Sequence, residues 1–537
     1  MRIPIGISDF KELIQDVSSE NEHYLYCDKS MMIKDIIDDG AKVLLFTRPR
    51  RFGKTLNMSM LYYFFGARES LFDGLQIAKN QYIMDTYHGK YPVVSISFKG
   101  LKHKNYQDMF GGLSHIIRDA FAPYKEIFHN SGYDVYFDRT VPMTVSDMGR
   151  SLLILSQKLH AHYGQRVLVL IDEYDAPIQT GYLNEYYEEI VAVLRNLFED
   201  GLKDNSSLYK GVLTGITRVA KANLFSGLNH FYTYDINVID YAQYFGFTED
   251  DVKAMIPEHY QDAKKWYNGY TFGNRTIYNP WSILNFIKNY FEYKAYWIDT
   301  AENSLIQKSL TADKMEAVEK LMNGGTFSLK IDNNLVLKYL KEDRYAFFNL
   351  LYTSGYLTSA GDGPGRYEKL VRIPNYEVHE FFETTVLKWF GYGQGDAFLD
   401  NFLADLIYGR AIDLQTKLQD LILNTMSFHD VGENTQESFY HGFLLGITLG
   451  LKGRYHVNSN RESGYGRYDI ALYPNDPSKD PGVIIEVKMN KESADQALLQ
   501  IQDKEYATEL KRHGCKTILL YGLHFDGKTV STKLVTA

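Results

Sequence analysis

Cysteine is almost absent: the chain has 537 residues and only Cys27 and Cys515. Two distant thiols exclude a disulfide framework and a cysteine zinc site, which fits a reducing interior. Long apolar runs are missing too. None approaches the roughly 18 residues of a membrane span, and Met1–Gly6 lacks the apolar core of a signal peptide. We therefore expect a cytoplasmic protein with no membrane partner. There is no excess of positive charge either, with 58 Lys+Arg against 67 Asp+Glu and a net charge of −9. A global basic field of the kind that coats nucleic acid is thus excluded. Hydrophobic residues at 45% and charged residues at 23% exclude disordered, collagen-like and coiled-coil classes. At roughly 100–200 residues per domain, the length predicts three or four domains.

The first two hundred residues alternate short apolar runs with helical patterns. Val43–Phe46, Val93–Phe98, Val167–Ile171 and Gly211–Ile216 read as buried strands between turn residues. That alternation predicts a parallel sheet covered by helices. Directly after the first strand comes Arg48-Pro49-Arg50-Arg51-Phe52-Gly53-Lys54-Thr55-Leu56, opening an apolar-rich helix that runs to Phe65. A strand, a loop and a helix N-terminus make a phosphate site, because first-turn amides and the helix dipole favour anions. Lys54 would reach the β/γ-phosphates and Thr55 would ligate Mg²⁺. The usual first glycine of such a loop is Arg48 here. Arg50 and Arg51 are phosphate clamps or, equally, solvated surface charge.

Val167–Ile171 ends in Asp172-Glu173-Tyr174-Asp175. Adjacent carboxylates at a strand tip can deliver one to Mg²⁺, here Asp172, and set the other, Glu173, beside the attacking water. Asp175 reads as a local cap or turn residue. On the next strand, Thr214 and Arg218 are candidates to sense the γ-phosphate and stabilise its charge; a capping threonine and a surface arginine fit as well.

The last hundred residues read as a separate α/β domain. Asp469 stands on one strand, and Val483-Ile484-Ile485-Glu486-Val487-Lys488 forms the next. Period-two alternation sends Glu486 and Lys488 to one face. Two carboxylates suit Mg²⁺ or Mn²⁺, and a lysine can orient water, which serves phosphodiester hydrolysis; an ordinary cross-strand ion pair is the plainer alternative. Glu437, on a preceding helical pattern, could add a metal ligand, and Gln502 and Tyr506 are expected to share a helix face. From Val431 to Ala537 there are 13 Lys+Arg and 13 Asp+Glu, so this part is formally neutral. Between the two ends, Tyr345–Leu357 reads as a helix and Tyr367–Ile373 as a strand after a glycine-rich turn, giving a winged helix or a plain helical connector.

The segments Tyr26–Ser30, Thr47–Leu56, Ile171–Asp175 and Trp266–Tyr270 resemble the bacterial AAA-ATPase-like domain, in which Arg48 is itself part of the pattern. Asp469, Glu486 and Lys488 resemble the signature of the PD-(D/E)XK nuclease superfamily. Glu437 stands at its helical acidic position, and Tyr468 replaces its usual proline. The resemblance implies an α/β multidomain protein: an AAA-like P-loop core over 1–230, a helical lid over 231–300, a helical or winged-helix connector over 301–428, and a restriction-endonuclease-like domain over 429–537. It implies ATP bound by Arg50, Arg51, Phe52, Gly53, Lys54, Thr55, Leu56 and Thr214. Mg²⁺ would be held by Thr55 and Asp172, and a second metal, Mg²⁺ or Mn²⁺, by Glu437, Asp469 and Glu486. Glu173, Arg218, Asp469, Glu486 and Lys488 would be catalytic. The expected partner is nucleic acid, DNA before RNA, and a homo-oligomer is open to it. The competing expectation is an ATP-driven switch or scaffold whose nuclease-like domain binds without cutting.

Overall fold

The computed structural model describes residues 2–15, 23–67, 69–128, 132–217, 231–297, 304–310, 314–322, 324–332, 337–340, 343–390, 396–425, 440, 444, 447–451, 453–463, 466–489, 492–527 and 529–537. They form two compact units. The first comprises Met1–Leu305 with Ser328–Val378, and the second Ile306–Phe327 with His379–Ala537. The 301–428 stretch is therefore divided between them.

The first unit is built on a parallel sheet of β1 (Val43–Thr47), β2 (Val93–Ser97), β3 (Val167–Asp172), β4 (Leu208–Gly215) and β5 (Phe231–Tyr234), in the order β2-β3-β4-β1-β5. Every residue of β1 and β3 is buried, as strands covered on both faces must be. Because all five run the same way, their carboxyl ends meet at one edge, where parallel α/β sheets bind ligands. The 231–300 stretch, expected as a lid, carries helices Glu249–Met255, Tyr260–Tyr267 and Pro280–Lys288 and a small antiparallel sheet.

Residues 327–372 carry a three-stranded sheet and a helix that precedes its hairpin. Strand Phe327–Lys330 pairs with Glu368–Arg372, which pairs in turn with Thr358–Asp362, and the Arg344–Thr353 helix precedes the hairpin. That helix buries Phe347, Phe348, Leu350, Leu351 and Tyr352, and Tyr352 donates to Asn237 Oδ1 at 2.7 Å. It is a packing element of the first unit, with little surface left to enter a nucleic-acid groove. Gly355 follows it at φ 86°, and a Cβ there would lie 2.9 Å from Pro49 Cβ, so glycine lets this turn rest on the phosphate loop.

The second unit carries a mixed five-stranded sheet, with strands Tyr455–Ser463, Gly466–Pro474, Gly482–Met489, Ile518–Asp526 and Thr529–Thr536 in that order. Only the 482–489 and 518–526 pair is parallel, and the Ala494–Asp503 helix that connects these strands packs on both. Its core is drawn from Tyr468, Ile484, Ile501, Tyr506, Leu510 and Leu520. No helix among the described residues is long and apolar enough to cross a membrane.

Candidate functional site

The loop after β1 turns through Arg51 at φ 67° and Gly53 at φ 80° before the Lys54–Gly66 helix begins. Gly53 supplies the left-handed conformation that lets the helix start immediately after the turn. Lys54 is buried, and its Nζ donates to the carbonyls of Arg48 at 2.9 Å and Pro49 at 2.7 Å. Burial lowers its pKa to about 8, opposed by the carboxylates of Glu173, Asp172 and Asp175. Thr55 Oγ1 donates to Asp172 Oδ2 at 2.8 Å, while Thr214 donates to the other oxygen of the same carboxylate. Thr214 thus braces Asp172, and it also accepts from the Glu173 amide at 3.4 Å. Glu173 sits at φ 53°, and burial, then Asp172, push its carboxyl above the usual range while Lys54 opposes. Asp175 is buried and accepts from the amides of Ile216 at 3.0 Å and Thr217 at 2.9 Å, closing the turn after β4.

Arg48 points away from this cluster. Fully buried, it donates to Tyr234 O at 2.8 Å and Thr47 O at 3.0 Å, and its guanidinium lies 5.2 and 5.1 Å from the ring centres of Phe245 and Phe272. The residue at the glycine position is therefore an anchor from β1 to the end of β5 and the lid. Arg48→Ala is expected to destabilise the protein by about 3 kcal/mol, through lost packing and two lost hydrogen bonds, read as a lower urea midpoint.

A cavity of about 400 Å³ opens over the loop. It is lined by polar side chains, among them Arg50, Lys54, Thr55 and Glu173, and by apolar ones that include Ile7, Leu13, Leu25, Trp281 and Leu284. Arg51 lies over the Trp281 ring at 4.2 Å, and the lining also includes Gly53 and Leu56. Phe52 is buried against Tyr270 and Phe272. Sequence reasoning missed Lys99, an exposed lysine just past β2 that lines the cavity and attracts Glu173. It also missed the wall from the N-terminal segment. Neither carries a local motif.

In the second unit, Asp469 and Glu486 each stand one residue past the facing pair Ile470 and Ile485. Asp469 Oδ2 accepts from the Val487 amide at 2.7 Å. Glu486 is buried, with Lys488 Nζ 3.8 Å from its Oε1. Gln500 donates to the same Oε1 and lies 3.2 Å from the Tyr506 hydroxyl. This corrects the expected pairing of Gln502 with Tyr506. The helix ends at Asp503 and the chain turns at Glu505, φ 53°, so four-residue spacing no longer sets the face, and Gln502 is exposed. Arg218 and Glu437 lie outside the described residues. Among those described, no group of three or more His, Cys, Asp or Glu side chains gathers as metal ligands. The hydroxyl and carboxylate of Thr55 and Asp172, and the carboxylates of Asp469 and Glu486, are nevertheless hard oxygen donors of the kind Mg²⁺ and Mn²⁺ take.

These two sites coincide with the family comparisons. Residues 4–225 match the family described as "Predicted AAA-ATPase", and residues 435–534 match the PD-(D/E)XK nuclease superfamily. The fold is accordingly an AAA-like P-loop α/β unit joined to a nuclease-like α/β unit. A relative from Azotobacter chroococcum mcd 1, described as "Uncharacterized protein in vnfD 5'region", is 28% identical over 98% of this chain and 96% of its own length. The Aeropyrum Pernix ORC2 protein, solved in ADPNP-ADP complexes, aligns over 68% of this chain and 97% of that one, with 10% identity and a TM-score of 0.23.

Proposed function

We propose that the chain binds and hydrolyses ATP in its first unit and cuts nucleic acid, with Mg²⁺ or Mn²⁺, in its second. One observation carries the first half: Lys54, Thr55 and Glu173 line one cavity together with apolar side chains, and Thr55 bonds Asp172. A nucleotide presents both kinds of surface. Thr55 and Asp172 would hold Mg²⁺, which when bound neutralises phosphate charge. Lys54 contacts the phosphates, and Glu173 takes a proton from the attacking water; its raised pKa suits a general base. ADP and Mg²⁺ should raise the unfolding temperature of the wild-type protein. Glu173→Gln is expected to keep this shift and lower ATP turnover by roughly 100-fold or more, the usual size of a general-base contribution. Unchanged turnover in that variant would remove Glu173 from the role.

For the second half, the supporting observation is the convergence of Asp469, Glu486 and Lys488 where the pairing of the 466–474 and 482–489 strands stops, with Gln500 holding Glu486. The carboxylates would hold the metal, which polarises a phosphodiester and activates water when bound. DNA is the expected substrate. A panel of single- and double-stranded DNA and RNA, incubated with Mn²⁺ or Mg²⁺ with and without ATP, tests this reading.

A further inference from the structure

Glu377 is completely buried at the start of the Tyr376–Phe390 helix, and each of its carboxylate oxygens accepts a hydrogen bond. Oε1 takes the Trp297 amide at 2.6 Å, and Oε2 takes the Ser282 hydroxyl at 2.7 Å. Both donors lead to the phosphate loop. The Trp297 indole N–H donates to the Arg50 carbonyl at 3.3 Å. Ser282 adjoins Trp281 in the first turn of the Pro280–Lys288 helix, and the Trp281 ring lies under the Arg51 guanidinium. A buried carboxylate is costly unless its oxygens are bonded, so the sites of these donors are the sites this residue enforces.

We infer that Glu377 is a positioning residue of the nucleotide site, fixing the main chain of Arg50 and the side chain of Arg51 through Trp297 and Trp281. The inference rests on the nucleotide reading given above and adds a regulatory consequence. The helix that Glu377 opens belongs to the first unit up to Val378 and to the second from His379. A nucleotide that engages the loop arginines therefore tightens the first turn of the helix that carries the chain into the nuclease-like unit.

The test uses full-length Glu377→Gln and Trp297→Phe with a fluorescent ADP analogue and Mg²⁺. Trp297→Phe removes the indole donor together with part of a fully buried ring system, so the nucleotide-free unfolding midpoint should fall through the cavity left behind, while nucleotide affinity should fall roughly five-fold, the size of one neutral hydrogen bond. Glu377→Gln should weaken binding roughly ten-fold or more. In wild type, nucleotide should slow hydrogen exchange at Tyr376–Phe382, and Trp297→Phe should abolish that protection. A purely structural role predicts the opposite: unchanged affinity and exchange in Trp297→Phe, with any loss confined to the melting of the two variants. If Glu377→Gln fails to fold, Trp297→Phe alone decides. Wild-type protein that binds no nucleotide overturns the nucleotide reading and this inference together. Wild-type binding with unaltered variants overturns only the latter.

Discussion

Lys54→Ala is expected to weaken ADP and ATP binding by on the order of 100- to 1,000-fold, measured with a fluorescent analogue or by calorimetry. The ammonium combines burial, a place in the first helical turn and two bonds to loop carbonyls. Charge-assisted hydrogen bonds contribute roughly 1.5–3 kcal/mol each, and a phosphate would take two of them in place of the carbonyls. Stability should respond far less. A pKa held near 8 by burial means that folding already works against this charge, so removing it relieves desolvation as well as deleting contacts. The expected change is within about 1 kcal/mol, seen as a nearly constant urea midpoint. Wild-type affinity in the alanine variant would sink the assignment of this loop to phosphate.

Glu486→Gln is expected to lower metal-dependent cleavage by at least roughly 100-fold while leaving the fold intact. The amide matches the carboxylate in shape, and its oxygen can still accept from Gln500, so the buried hydrogen bond survives. What disappears is the negative charge a divalent cation needs. Lys488→Ala should depress cleavage with little change in metal affinity. The contrasting pattern belongs to a scaffold: Lys54→Ala abolishes function in cells while Asp469→Ala leaves it intact. A wild-type protein whose cleavage is indifferent to Glu486 has lost the nuclease reading.

Strands buried on both faces were legible because they are continuous apolar runs, as in Val167–Ile171 and Val483–Ile485. The edge strands of the second sheet were not. Tyr455–Ser463 and Thr529–Thr536 flank the second sheet, and their polar composition imitates loops. Phe231–Tyr234 was hidden by its aromatic composition, which read as lid, although it pairs with β1. At the sites, Lys54, Asp172, Glu173, Asp469, Glu486 and Lys488 could be named because each sits at a fixed offset from a strand end. Glu377 and Trp297 could not, since their relation to Arg50 exists only after distant segments pack. Gln500 was displaced by Gln502 because helical spacing was assumed past a turn that ends the helix.

The first unit closes with residues that follow an excursion of the chain into the second. On a ribosome, the phosphate loop emerges early, whereas Gly355, which rests on Pro49, and Glu377, which holds Trp297, emerge hundreds of residues later. Domains that fold as units during synthesis normally finish before the next begins. Here the nucleotide site cannot be finished in that order. A fragment cut near residue 300 would leave its loop half supported, so the two proposed activities are expected to mature together rather than as separable halves.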